Sequence, residues 1–151
     1  MANKITINPE NGSLVINDTL MIDPNWTEAE FIKSEAHQLF KFNDRKELLI
    51  IENVKGQKLI LYFSFKTDSS LFYTRFTFSR GEDAPADYYE TEEMTQTFMT
   101  AFKEIITESF QGYQSEENDP NYIRYGFPWG TALATVISRS EFTNLTITYK
   151  R

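Results

Sequence analysis

Apolar residues recur along this chain at two spacings, two and three-to-four, and each change of spacing marks a new element. Ile5 and Ile7 open an alternating stretch, and Asn8-Pro-Glu-Asn-Gly12 is a dense turn signal ahead of Leu14-Val-Ile16, so a β-hairpin is expected first. Thr27-Glu-Ala-Glu30 then matches a capping box, in which the Thr hydroxyl and the Glu carboxylate each satisfy an orphan backbone donor at a helix start. It predicts a short helix over Thr27–Ser34 that buries Phe31 and Ile32, with Trp26 standing before the cap like a hydrophobic staple. Glu47–Val54 reads as a strand, Lys55-Gly-Gln57 as a tight turn and Lys58–Lys66 as the returning strand, with Leu59, Leu61, Phe63 and Phe65 on one face. In Leu71–Ser79, Phe72, Phe76 and Phe78 face one way and Tyr73, Arg75 and Thr77 the other, the pattern of a sheet covered on one side and partly wet on the other.

At Thr91 the spacing changes. Met94, Phe98, Ala101, Phe102, Ile105, Ile106 and Phe110 repeat every three or four positions, which predicts a long amphipathic helix over Thr91–Phe110. Glu92 and Glu93 fall in its first turn, where they complement the dipole, and Gly112 is its stop signal. A polar loop, Gln114–Asn121, follows, and two final strands, Thr131–Ser138 and Leu145–Lys150, are joined as a hairpin through Ser138–Thr143. Ahead of that hairpin, Arg124-Tyr-Gly-Phe-Pro-Trp-Gly130 reads as a rigid corner anchored by Trp129. These elements specify an α+β fold: a mostly antiparallel β-sheet with one long amphipathic helix and one short N-terminal helix packed on it, in a single globular domain spanning residues 1–151.

Composition narrows the chemistry open to such a fold. At 151 residues and 17.7 kDa the chain can bury roughly two thirds of its unfolded surface without a staple or a metal. The absence of cysteine removes thiol nucleophiles, disulfides, iron–sulfur clusters and the commonest structural zinc sites. The single His37, in a polar context after the short helix, excludes multi-histidine metal sites and is expected at the surface or in a cap. No Gly-rich phosphate loop, Gly-x-Ser-x-Gly, His-Glu-x-x-His or EF-hand loop occurs, so no catalytic, cofactor-binding or metal residue is assigned. The N-terminus lacks the basic and apolar regions of a signal peptide and no apolar run approaches the length of a membrane span, which points to a cytoplasmic protein without membrane contact.

Charge is more informative than motif. Between Glu82 and Asp119 there are 11 acids against the single base Lys103, ten net negative charges, while the remaining 11 acids and 14 bases leave the rest of the chain at +3. Nucleic acid would be repelled from such a segment, whereas a basic protein would be drawn to it. Tyrosines sit beside the acids, and tyrosine is a common interface anchor. The candidate partner-binding residues are therefore Asp87, Tyr88, Tyr89, Glu90, Glu92, Glu93, Tyr113, Glu116, Glu117 and Asp119. A blander reading stays open, in which the acids confer solubility and the aromatics fill the core.

Ile16–Phe31 and Tyr125-Gly-Phe-Pro-Trp-Gly-Thr131, followed by Leu145–Tyr149, resemble segments of small single-domain bacterial proteins of unassigned function, some of them similar to immunity proteins of contact-dependent or secreted toxin systems. The resemblance implies a bacterial α+β scaffold and carries no functional residue with it. Joined to the charge pattern, it leads to the expectation of an immunity-type inhibitor, monomeric or homodimeric, that neutralises a basic toxin domain, a nuclease among the candidates. The alternatives are a small-ligand or carbohydrate-binding module, or a carboxylate-dependent hydrolase, using a pocket between sheet and long helix.

Overall fold

The computed structural model describes residues 2–66, 70–80, 91–136 and 143–150. The chain opens with a three-stranded antiparallel meander, β1 (Ile5–Ile7), β2 (Leu14–Ile16) and β3 (Leu20–Ile22). The first hairpin is the expected one, and β3 extends it through a turn at Asn17 and Asp18, both in left-handed backbone. Two short helices follow, α1 (Glu28–Lys33) and α2 (Glu35–Phe40). The capping box forms as the sequence predicts: Thr27 Oγ1 accepts from the Glu30 amide at 3.1 Å and Glu30 Oε1 from the Thr27 amide at 3.1 Å. One short N-terminal helix was expected and there are two, because Ser34 ends α1 and caps α2 at once: its hydroxyl donates to the Phe31 carbonyl and accepts from the His37 amide.

A large sheet comes next. β4 (Lys41–Phe42), β5 (Arg45–Val54), β6 (Gln57–Phe65) and β7 (Leu71–Phe78) form one antiparallel meander. α3 (Glu92–Ser109) then carries the chain across the sheet to its far edge, and a second meander returns through β8 (Glu117–Asp119), β9 (Tyr122–Phe127), β10 (Gly130–Thr135) and β11 (Asn144–Tyr149). β11 pairs with β7, so the eight strands run β4-β5-β6-β7-β11-β10-β9-β8, every neighbouring pair antiparallel. The fold is thus α+β, a mostly antiparallel sheet structure with one long helix. No helix is long and apolar enough to cross a membrane among the described residues.

Register dictates which side chains share a face. Leu49, Leu61, Phe76, Leu145, Ala134 and Ile123 lie opposite one another in a row across six strands, and all are buried. This face receives the rest of the molecule. Phe31 of α1 packs on Phe63 and Phe65 at ring separations of 4.6 and 5.6 Å, and Phe98 and Phe102 of α3 pack on Phe78 at 5.4 and 4.5 Å. The meander of β1–β3 closes the layer, tied to α3 by the Ile7 amide, which donates to Ser109 Oγ at 2.9 Å. The next row, Leu48, Tyr62, Arg75, Thr146, Leu133, Arg124 and Glu117, belongs to the opposite face, where Arg75 stands over the Tyr73 ring at 5.5 Å. Phe72, expected beside Phe76 and Phe78, is instead exposed at the start of β7 under the Lys66 ammonium.

Two loops of the sequence reading turn out to be strands. Arg124–Gly130 is not a corner but the end of β9 and a two-residue turn, Pro128-Trp129, closed by the Phe127–Gly130 pair. Within the polar stretch 114–121, Glu117–Asp119 pairs with β9 as the sheet's edge. The Ser138–Thr143 connection lies outside the described residues except for Thr143.

Candidate functional site

Four of the ten candidate residues, Asp87, Tyr88, Tyr89 and Glu90, lie outside the described residues. The other six fall into two groups. Glu92 and Glu93 occupy the first turn of α3, exposed, behind an N-cap in which Thr91 Oγ1 accepts from the Met94 amide at 3.1 Å. Tyr113, Glu116, Glu117 and Asp119 come after the end of that helix. The 18 residues of that helix, about 27 Å at 1.5 Å per residue, separate Glu92 and Glu93 from Tyr113, but β8 runs back along it: Lys103 donates to the Asp119 carbonyl at 2.6 Å, and Pro120 and Asn121 line a cleft with Thr95, Gln96 and Met99. Tyr113 thus lies far from the first turn of α3, while Asp119 is carried back toward it.

The second group is the better defined. Gly112 takes a φ of 86° to end the helix, and the Tyr113 amide donates to the Phe110 carbonyl at 3.0 Å. This turn holds the Tyr113 ring edge-on to Phe127 at 5.4 Å with half of the residue exposed. The Glu116 amide donates to the Arg124 carbonyl at 2.8 Å, its carboxylate meets Arg124 Nε at 3.4 Å, and it lies over Gly126 in the space a β-carbon would fill. Glu117 pairs directly opposite Arg124, and the Asp119 carboxylate accepts from the Asn121 amide at 2.9 Å to close the β8–β9 turn.

Folding also brings cations to these acids. Lys103 donates to the Asp119 carbonyl at 2.6 Å and to Asn118 Oδ1 at 3.3 Å, so the β8 rim counts three carboxylates against Arg124 and Lys103, one net negative charge. Farther along α3, Lys55 from the β5–β6 turn bridges Glu104 and Glu108 at 3.6 and 2.5 Å. The hydrogen bond that Lys55 donates to Glu108 is the main reason its ammonium is held above its ordinary pKa, with burial opposing it and Glu104 adding to it. A charge count along the sequence misses Lys55 and Arg124, which lie outside the acidic segment and reach its acids only through the fold.

The neighbouring aromatics serve the core. Phe110 packs on Tyr125 and Phe127 at 4.9 and 4.8 Å, Phe127 stacks on Trp129 at 4.9 Å and 6°, and Trp129 leans on Tyr149 at 5.8 Å. Trp129 Nε1 donates to the Pro9 carbonyl at 2.8 Å, the anchoring role the sequence suggested. His37 departs from expectation: α2 turns Ala36 and His37 inward, leaving the imidazole buried against Phe31 with Nε2 donating to the Lys46 carbonyl at 3.1 Å. Among the described residues, no three His, Asp or Glu side chains are grouped to hold a metal ion.

Two clefts accompany these features. One of about 570 Å³ lies by the start of α3, between Arg80, Glu93, Met94 and Phe98. Another of about 410 Å³ lies between β3 and the helices α1 and α2. Compared with family models, curated proteins and solved structures, the chain matches none.

Proposed function

We propose that this chain is an immunity-type binding protein, a cytoplasmic inhibitor that neutralises a basic bacterial toxin domain, a nuclease among the candidates, by occlusion rather than chemistry. The observation that carries the reading is the β8 rim, where Glu116, Glu117 and Asp119 are exposed on and beside the edge strand and Tyr113 is half-exposed in the turn before it. A half-exposed tyrosine braced by a buried phenylalanine is a rigid contact of low entropic cost, and the carboxylates of the edge strand favour a cationic partner.

The test is affinity capture from the native host at low salt, with wild type beside Tyr113→Ala/Glu117→Lys. Neither residue is itself a partner in the Glu116–Arg124 pair or the Asn121–Asp119 turn. The expected result is one basic polypeptide that wild type retains, that raised ionic strength releases, and that the double variant fails to retain. Equal retention by the double variant, with the same salt response, removes the rim from the reading.

A second reading, a small-ligand binder, is favoured by the cleft at the start of α3, whose volume of about 570 Å³ lies within the range of ligand sites. A thermal-shift screen of wild type and Glu93→Ala tests it, since a ligand of this cleft raises the unfolding temperature of the first far more than the second.

A further inference from the structure

We infer that the free edge of β3 is a docking site for an extended peptide segment of a partner protein, apolar with basic flanks, taken up as a fourth strand of the β1–β3 meander. The site is separate from the β8 rim and does not rest on its role. In an antiparallel strand the N–H and C=O of one residue point to the same neighbour and those of the next residue to the opposite side. The Asn8 amide donates to the Ser13 carbonyl at 2.8 Å and the Asn17 amide to the Lys4 carbonyl at 2.9 Å, so Ser13, Val15 and Asn17 face β1. Leu14 and Ile16 must then face β3, where they lie opposite Ile22 and Leu20. Met21, between those two, points its N–H and C=O away from β2.

No strand lies on that side, and among the described residues Met21 has no hydrogen-bond partner there. Natural edges are blunted by short length, lysine, proline or a bulge; Leu20-Met21-Ile22 is short but carries no lysine, proline or bulge, and Met21 is 46% exposed. Beside the edge lies the cleft of about 410 Å³, with α1 and α2 as its far wall. A free edge facing a helix across such a slot is the arrangement that receives a peptide by strand addition: the edge supplies main-chain bonds and the slot a pocket for alternate side chains. Leu20 and Trp26 make that pocket apolar, while Glu30 and Glu35 against Lys33 leave its rim negative, which selects basic residues on either side of an apolar anchor.

The probe is a displayed library of random seven-residue segments selected on the full chain, with Met21→Pro and Met21→Ala as comparison proteins. Proline removes the one N–H that faces the slot and leaves the Leu20 and Ile22 pairs to β2 intact, and an edge strand tolerates it. Selected segments are expected to alternate apolar residues with Lys or Arg, to bind Met21→Ala nearly as well as wild type, and to bind Met21→Pro about tenfold more weakly. Adding such a peptide should slow hydrogen exchange of the Met21 amide. Should Met21→Pro fail to fold, the selected peptide is N-methylated at alternate amides in each of the two registers: one register must abolish binding to wild type and the other spare it. Selection of no segment, equal binding to Met21→Pro, indifference to methylation in both registers, or a Met21 amide already protected in a self-associated protein would each overturn the inference, the last by giving the edge to a second copy.

Discussion

Thr74 sits at the centre of the large sheet, opposite Phe63 on one side and Ile147 on the other, fully buried with a hydroxyl that has no hydrogen-bond partner. Burying a hydroxyl without compensation costs stability, and valine fills the same space without one. Thr74→Val should therefore raise the free energy of unfolding by about 1 kcal/mol. Urea titration checks this, and a loss of stability would mean the hydroxyl is satisfied in solution. The opposite sign is expected where the first hairpin meets the last strand. Gly12 has a φ of 78°, and a β-carbon there would come within 2.7 Å of both the Trp129 and Tyr149 rings, while the Tyr149 hydroxyl donates to the Gly12 carbonyl at 2.8 Å. Gly12→Ala should cost about 3 kcal/mol or more from left-handed strain and overpacking together. Tyr149→Phe should cost only about 1 kcal/mol, one buried hydrogen bond. Trp129 as an anchor was legible in the sequence, since Gly and Pro around an aromatic imply a fixed backbone, although the segment is a hairpin turn and not the expected corner. The burial of His37 was not, because polar neighbours in sequence say little about which side of a six-residue helix meets a sheet.

At the scale of elements, the β5–β6 turn shows a local signal and a distant contact acting together. Lys55 and Gly56 both take positive φ, 52° and 79°, the backbone that two-residue hairpins favour, and the turn aims Lys55 at α3. A lysine whose folded-state pKa is raised stabilises the protein fully below its unfolded value of about 10.5 and loses that contribution as pH climbs through the higher folded value. Lys55→Met should thus cost about 0.5 kcal/mol at neutral pH, the pair being partly exposed, and the gap from wild type should close only above pH of about 10.5. Unfolding of both proteins from pH 7 to 11 checks the sign: a gap that closes on the acid side would assign the stability to another group. The long helix was legible because seven apolar residues repeat along it. β8 was not, because Glu117–Asp119 has no apolar residue and exists only by backbone pairing to β9. The candidate site suffered from the same blindness. Without β8 and β9 in register, Arg124 could not be seen opposite Glu117, nor Glu92 and Glu93 seen at the far end of a helix from Tyr113.

At the scale of the whole molecule, the sheet is two four-stranded meanders joined along one seam, β7 against β11, and such a seam is where a protein comes apart if its halves are independent. Three features oppose that. Phe76 and Leu145 pair across the seam inside one buried cluster that includes both meanders, α3 leaves one meander to lie over the other, and β1 is held to α3 by Ser109. Nearly all contacts that close the second meander on the first are long-range, so partial structures gain little until the seam forms. The two tryptophans report on the two sides separately, since Trp26 packs by the α1 cap and Trp129 in the β9–β10 turn. In Trp26→Phe and Trp129→Phe variants the remaining tryptophan is a single probe, and within each variant its urea transition should coincide with the loss of circular dichroism. Fluorescence that departs from the dichroism in either variant would divide the chain into two folding units, with the dividing line at the seam.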